Sequence, residues 1–161
     1  MDELGLNTLR SELLEDCRVV AEAARLARDR FGAGRAEQLE ACAYQLARGY
    51  NAVEQMALRV ARAFENNIDE EQGWHMELLR RLSIEIAGIR PALWPRDLSV
   101  DLQELRAFRH VVRHAYDVVL QPQKLLPLLD SAERVANELP GVCQRFCRTV
   151  ATARGWRLEE A

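Results

Sequence analysis

The stretch LEACAYQLARGYNAVEQMALRVARAF, residues 39–64, decides the fold class. Its apolar side chains recur every three or four positions, a spacing that places them on one face of an α-helix. These residues are Leu39, Ala43, Leu46, Tyr50, Val53, Ala57, Val60 and Phe64. The stretch therefore predicts one long amphipathic helix with a continuous stripe facing the core.

An equivalent stripe precedes this helix. Apolar residues at the same spacing run from Leu6 to Phe31, and Gly32-Ala-Gly34 lies between the two stripes. Glycine commonly follows the C-terminus of a helix because it adopts the left-handed conformation without a Cβ penalty. Two long helices joined by so short a connection are expected to pack antiparallel.

The rest of the chain continues the helical pattern with two interruptions. The expected elements are a polar loop over 65–73, a helix from about Trp74 to Ile89, a break at 90–95, a helix from near Ser99 to about Leu120, and a last helical region opened by Pro122. Pro140-Gly141 keeps the apolar phase, which favours one kinked helix and leaves two helices as the alternative. We predict an all-α fold: an antiparallel bundle of four to six helices forming a single domain over 1–161.

Composition and charge exclude several classes of protein. With 48% hydrophobic and 29% charged residues, the chain is neither disordered nor collagen-like. No apolar run reaches the roughly 18–20 residues that cross a bilayer, and the acidic start lacks an apolar signal core, so we expect no membrane partner and a cytoplasmic location. The net charge of −3 means that any binding of nucleic acid must depend on a local basic cluster.

The cysteine spacing gives no sign of a metal site or a disulfide framework. The four cysteines form no CxxC pair, and in a cytoplasmic chain they are expected to be reduced thiols that act as small hydrophobic residues. They are Cys17, Cys42, Cys143 and Cys147.

One helix, over 102–119, departs from this plain pattern. At about 100° per residue, one arc of it carries only apolar residues and is expected to face the core. That arc contains Leu105, Phe108, Val111, Val112, Ala115, Val118 and Val119. The remaining polar face collects Arg109, His110, Arg113, His114, Tyr116 and Asp117, which include two of the chain's three histidines.

These polar residue types suit the cleavage of RNA without a metal. An imidazole serves as general base when neutral and as general acid when protonated, and arginine offers a planar fork of donors to phosphate oxygens. A base would take the proton of a 2′-hydroxyl, a cation would stabilise the charge on the phosphate, and an acid would protonate the leaving oxygen. A merely solvated helix face is the plain alternative.

A metal clamp is the chemical alternative for the same face. His110 and His114 have the spacing of two imidazole ligands on one helix, with Asp117 as a third. Arg113 lies between them and would repel a cation, and Val111 occupies the position of the general base in an HExxH motif. We therefore expect neither a metal nor another cofactor.

The spacing Arg109-x-x-x-x-His114-x-Tyr116 resembles the RX4HXY motif of the HepT-like toxins, within the HEPN superfamily of α-helical ribonucleases. Residues 46–54 and 59–64 resemble the second long helix of the family, and residues 73–79 resemble the opening of its third. The resemblance covers roughly residues 40–130, and the blocks occur in the family's order.

The resemblance implies a metal-independent endoribonuclease toxin with an RNA substrate. It implies a homodimer in which the two motif helices meet, with Arg109 and His114 as catalytic residues. The family's antitoxin is a nucleotidyltransferase encoded alongside, which adds AMP to the motif tyrosine, here Tyr116. Since Tyr116 lies about 20° from Arg109 on the helix, a phosphate on Tyr116 would compete with RNA for the same guanidinium.

Three further residues are candidates for supporting roles. Many HEPN proteins carry Asn or Asp after the motif arginine, whereas this chain has His110, which leaves the acid and base assignment open. Arg113 adds positive charge, and Glu54 lies where family members carry an acidic residue and is a candidate partner for Arg109. The alternative function is a non-catalytic HEPN-type module that binds a nucleotidyltransferase or a nucleotide, which the net negative charge favours.

Overall fold

The computed structural model describes residues 1–65, 74–114 and 119–159 and contains five helices in that part of the chain. They are α1 (Glu3–Phe31), α2 (Ala36–Phe64), α3 (Trp74–Leu82), α4 (Arg96–His114) and α5 (Pro122–Arg154). The described residues contain no β-strand, only one isolated bridge between Ile86 and Arg90. The predicted all-α bundle is confirmed. None of the described helices is both long and apolar enough to span a membrane.

Helices α1 and α2 form an antiparallel pair. The connection between them contains the two glycines at which the sequence predicted a break. Asp2 caps α1 by accepting a hydrogen bond from the Gly5 amide, and Gly32 follows the helix with φ of 51°. The two helices approach closely at Gly49, because a Cβ there would lie 3.3 Å from the Ala23 Cβ. Near the other end, Arg59 of α2 forms an ion pair with Glu12 of α1.

Helix α5 packs along both α1 and α4. It runs unbroken through Pro140, so the prediction of one helix is confirmed and the two-helix alternative is wrong. Arg28 of α1 binds Asp130 and Glu133 of α5. Asp101 of α4 binds Arg134, one turn after Asp130 on α5. The helix thereby joins the N-terminal half of α4 to the core.

The core follows the predicted stripes closely. Leu6, Leu13, Val53 and Met56 have no exposed surface, and the four cysteines are buried and free as expected. Because these side chains come from α1, α2 and α5, the three long helices form the rigid frame of the bundle.

Helix α3 ends earlier than predicted. It stops at Leu82, and Ile89, expected to face inward, is 43% exposed. The buried Arg90 side chain explains the difference, since its guanidinium donates to the carbonyl oxygens of Arg81 and Ile84 and to the carboxylate of Glu65. The hydrogen bonds that compensate the buried Arg90 cation outweigh the tendency of the apolar spacing to continue the helix.

Both predicted ends of the fourth helix also need correction. The helix starts at Arg96, and the Ser99 amide already donates to the Pro95 carbonyl. Ser99 therefore lies in the first turn of the helix and not at its start. Helix α4 ends at His114 among the described residues, while 119–120 are not helical. Residues 115–118, and residues 66–73 of the loop predicted over 65–73, lie outside the described part of the chain.

Candidate active site at the crossing of helices α2 and α4

Arg109 lies at the centre of the site, where α4 crosses α2. Its Nη2 is 3.2 Å from Oε2 of Glu54, and its Nε donates to Oδ1 of Asn51 at 2.5 Å. The guanidinium carbon lies 5.6 Å from the centroid of the Tyr50 ring, within the range of a cation–π contact. The Arg109 side chain is only 14% exposed. Three successive contacts with one helix therefore hold this cation in place.

Glu54 is the partner that the sequence suggested for Arg109, and the ion pair is present in the structure. Only 8% of the Glu54 side chain is exposed, and buried apolar residues of α2 precede and follow it in the sequence. A carboxylate in such surroundings is costly unless a cation and hydrogen bonds compensate it. The ion pair with Arg109 therefore offsets part of the cost of burying Glu54.

Tyr50 forms the floor beneath the guanidinium. It is 1% exposed, and burial, followed by the nearby charge of Glu54, raises the pKa of its hydroxyl well above the usual range. The phenol therefore stays neutral at physiological pH and presents an aromatic face to Arg109. Burying the aromatic ring also ties this part of α2 to the core.

His110 and His114 lie side by side on the exposed face of α4. Their rings stack with centroids 4.4 Å apart and planes at 29°. The Nδ1 atom of His114 is 2.9 Å from the backbone carbonyl oxygen of His110. Since a carbonyl oxygen only accepts, this contact requires a proton on Nδ1, and in the neutral ring Nε2 then carries the lone pair. His114 is thereby prepared to accept a proton through Nε2.

The structure places the other candidates less fully. Arg113 is exposed in the last turn of α4 and forms no hydrogen bond or ion pair with the described residues. Tyr116 and Asp117 lie outside the described part of the chain, so the predicted modification site and the third metal ligand are not placed. Within the described residues, no group of three histidine, cysteine or acidic side chains is arranged to hold a metal.

The apolar arc of α4 faces the core only in part, which corrects the prediction of a continuous stripe. Leu105 is buried, but Val111 is 43% exposed and Val119 is 81% exposed. The polar contacts that Asp101 and Glu104 make with α5 lie in the first half of α4, and Val111 lies beyond them. A groove of about 540 Å³ opens there, with Val111 and Val119 in its lining.

Asn51 is a site residue that the sequence analysis missed. It lies three positions before Glu54, so both side chains project from the same side of α2. The spacing of three positions between Asn51 and Glu54 was the available signal. The pattern within one helix cannot show which residue of another helix they meet.

Comparison with known proteins agrees with the geometry. The family model described as HepT-like protein matches residues 41–150, which is 110 of the 161 residues and includes Asn51, Glu54, Arg109 and His114. No curated protein and no solved structure matches the chain. The matched segment contains α3, α4, most of α2 and most of α5. The chain belongs to the HepT-like family of the HEPN superfamily.

Proposed function

We propose that this protein is a metal-independent endoribonuclease toxin of a toxin–antitoxin system, with 1–161 acting as one HEPN domain. The observation that carries the proposal is the arrangement on α4. Arg109 is held by α2 through one edge of its guanidinium, and His114 follows five residues later with its Nδ1 atom 2.9 Å from the His110 carbonyl oxygen. These are the two groups that phosphodiester cleavage needs when no metal takes part.

The chemistry follows from the atoms present. Nε2 of His114 takes the proton of a ribose 2′-hydroxyl, and the 2′-oxygen attacks the adjacent phosphorus. The guanidinium of Arg109 stabilises the negative charge on the phosphate oxygens as the bond forms. The bond from phosphorus to the 5′-oxygen then breaks, and an acid supplies a proton to that leaving oxygen. The products are a 2′,3′-cyclic phosphate and a free 5′-hydroxyl.

A homodimer would supply the acid and the base on opposite sides of the phosphate. A two-fold axis beside α4 places the same exposed face twice in one cleft, so two copies of His114 lie near one substrate. The exposed Val111 and Val119 support an interface next to this face, because large exposed apolar side chains gathered at one place commonly mark a contact surface. His110 and Arg113 then line the cleft as supporting groups.

Regulation by an adjacent nucleotidyltransferase completes the proposal. Family membership supports a toxin–antitoxin context, in which the partner adds AMP to Tyr116. A phosphate on Tyr116, seven positions after Arg109 in the sequence, would add negative charge and compete with RNA for the guanidinium.

The second candidate is a non-catalytic HEPN module that binds a nucleotidyltransferase or a nucleotide. The net charge of −3 favours it, since RNA is not attracted by the chain as a whole. The Glu54 carboxylate beside Arg109 also offsets part of the local positive charge.

Cleavage by purified protein separates the two candidates. Wild-type chain is incubated with a labelled mixed-sequence RNA in EDTA, beside His114→Ala as the matched variant. We expect cleavage in EDTA by the wild type, products ending in a cyclic phosphate, and a loss of about 10²- to 10⁴-fold in His114→Ala. Equal and negligible cleavage by both proteins contradicts the ribonuclease and leaves the binding module.

A further inference from the structure

The two hydrogen bonds from Arg109 to α2 use a single edge of its guanidinium. Nε and Nη2 lie on the same side of the planar group, and they donate to Asn51 and Glu54 respectively. A guanidinium carries five N–H donors in a fixed fork. The Nη1 pair and the second Nη2 hydrogen therefore lie on the edge turned away from α2, and Nη1 donates to no described residue.

The partners of Arg109 differ from those of Arg28 and Arg59, two arginines that join helices of the bundle. Arg28 binds two carboxylates, those of Asp130 and Glu133. Arg59 likewise binds two carboxylates, those of Glu12 and Asp16. Each of these cations faces two negative charges and is suited to hold helices together.

Arg109 instead faces one carboxylate and one neutral amide. Asn51 supplies a hydrogen-bond acceptor of the same shape as an aspartate, but it adds no second negative charge. The guanidinium of Arg109 is thus hydrogen-bonded to α2 through two donors, while only one of its two acceptors there is a carboxylate. A phosphate oxygen at the open edge would be attracted by the positive charge of the guanidinium.

We propose that Asn51 is a positioning residue, which orients the Arg109 guanidinium toward the RNA phosphate without neutralising it. The proposal rests on the ribonuclease function argued above. Asn51 itself does not touch the substrate; it acts through Arg109, together with Glu54 and the Tyr50 ring.

Orientation is measured first, without reference to activity. In the ¹H–¹⁵N spectrum of the whole protein, the Nε–H signal of Arg109 is assigned by its loss in Arg109→Lys. We expect this signal to exchange slowly with water in the wild type and in Asn51→Asp, and to be lost to fast exchange in Asn51→Ala. Gln55→Ala is the control, since Gln55 is an exposed amide on the same helix. A slowly exchanging signal in Asn51→Ala would overturn the positioning role.

Cleavage then tests the charge argument through Asn51→Asp. If Asn51 served the fold alone, an aspartate that keeps the hydrogen bond would cleave RNA as well as the wild type. We expect instead a kcat/KM reduced about tenfold in Asn51→Asp, from the added negative charge. In Asn51→Ala we expect a kcat reduced up to about 100-fold, from the misplaced guanidinium. Gln55→Ala should match the wild type.

The outcomes keep this inference apart from the function on which it rests. Wild-type cleavage with Asn51→Asp equally active overturns the charge argument. Wild-type cleavage with Asn51→Ala equally active overturns the positioning role. A wild-type chain that cleaves no RNA overturns the ribonuclease, and with it any catalytic purpose for Asn51, while the Nε–H signal still decides whether Asn51 orients Arg109.

Discussion

The Nδ1 atom of His114 lies 2.9 Å from the carbonyl oxygen of His110, one helical turn earlier, and the two imidazole rings stack above this contact. The acceptor is a backbone atom, so the tautomer of His114 does not depend on the side chain at position 110. The His110 ring packs against the His114 ring but does not determine which nitrogen of His114 carries the proton. We therefore expect the two histidines to contribute unequally to cleavage.

Substitution of each histidine tests this inequality. We expect His110→Ala to retain cleavage within about tenfold of the wild type, because the carbonyl that fixes His114 remains. His114→Ala should lose about 10²- to 10⁴-fold, the usual contribution of a general acid or base. Single-turnover cleavage of a labelled RNA measures both. A larger loss in His110→Ala would assign the proton transfer to His110 instead.

Growth of bacteria that express the chain tests the toxin proposal. Expression without an antitoxin should arrest growth, while Arg109→Ala and His114→Ala should grow normally with unchanged far-ultraviolet circular dichroism. Co-expression of a nucleotidyltransferase encoded beside the toxin should restore growth for the wild type. It should fail for Tyr116→Phe, which lacks the hydroxyl that would receive AMP. Arrest by His114→Ala equal to that by the wild type would count against catalysis.

Cross-linking tests the dimer proposed around α4. Arg113 is exposed beside the motif, so Arg113→Cys should form a disulfide with its copy in a two-fold dimer. Arg18→Cys is the control, because Arg18 is 77% exposed on α1, away from α4. The native thiols are buried and should not interfere. Non-reducing electrophoresis after mild oxidation gives the readout, and cross-linking through Arg18→Cys alone would place the interface elsewhere.

The buried pair of Arg90 and Glu65 predicts a large effect on stability. No part of the Arg90 side chain is exposed, and its Nη2 lies 2.7 Å from Oε1 of Glu65. Arg90→Met should lower the free energy of unfolding by about 3 kcal/mol, because Glu65 stays buried. Arg81 also binds Glu65 but is 46% exposed, so Arg81→Met should cost about 1 kcal/mol or less. Equal midpoint shifts in urea would contradict this ranking.

Acid stability should depend on the ion pair between α4 and α5. The hydrogen-bonded Arg134 guanidinium lowers the pKa of Asp101 below its usual value. A lowered pKa stabilises the fold above the unfolded-state value of about 3.9, and this contribution disappears as the pH falls through the folded-state pKa. Arg134→Gln should therefore be less stable by up to about 1 kcal/mol at pH 7. Denaturation at several pH values should show this gap closing below about pH 4, whereas Arg18→Gln should show none.

The sequence predicted the helices where apolar spacing and the local turn agree. The stripe of α2 and the glycines after α1 are of this kind, since both depend on neighbours along the chain. The predicted end of α3 was wrong because Arg90 binds Glu65, 25 residues earlier in the chain. This contact overrides the local spacing of the apolar residues. Asn51 was missed and Val111 was expected to be buried for a related reason. Each depends on which helix lies opposite, and periodicity within one helix carries no such information.

The close packing of α1 has a consequence for what the family match means. Similarity to the family begins at residue 41, yet Leu6 and Leu13 of α1 are fully buried against the rest of the bundle. Burial of a leucine contributes about 1.5–3 kcal/mol, so these two alone account for a substantial share of the 5–15 kcal/mol typical of a domain. We therefore expect residues 41–150, the segment that reveals descent, to be markedly less stable alone than as part of the whole chain.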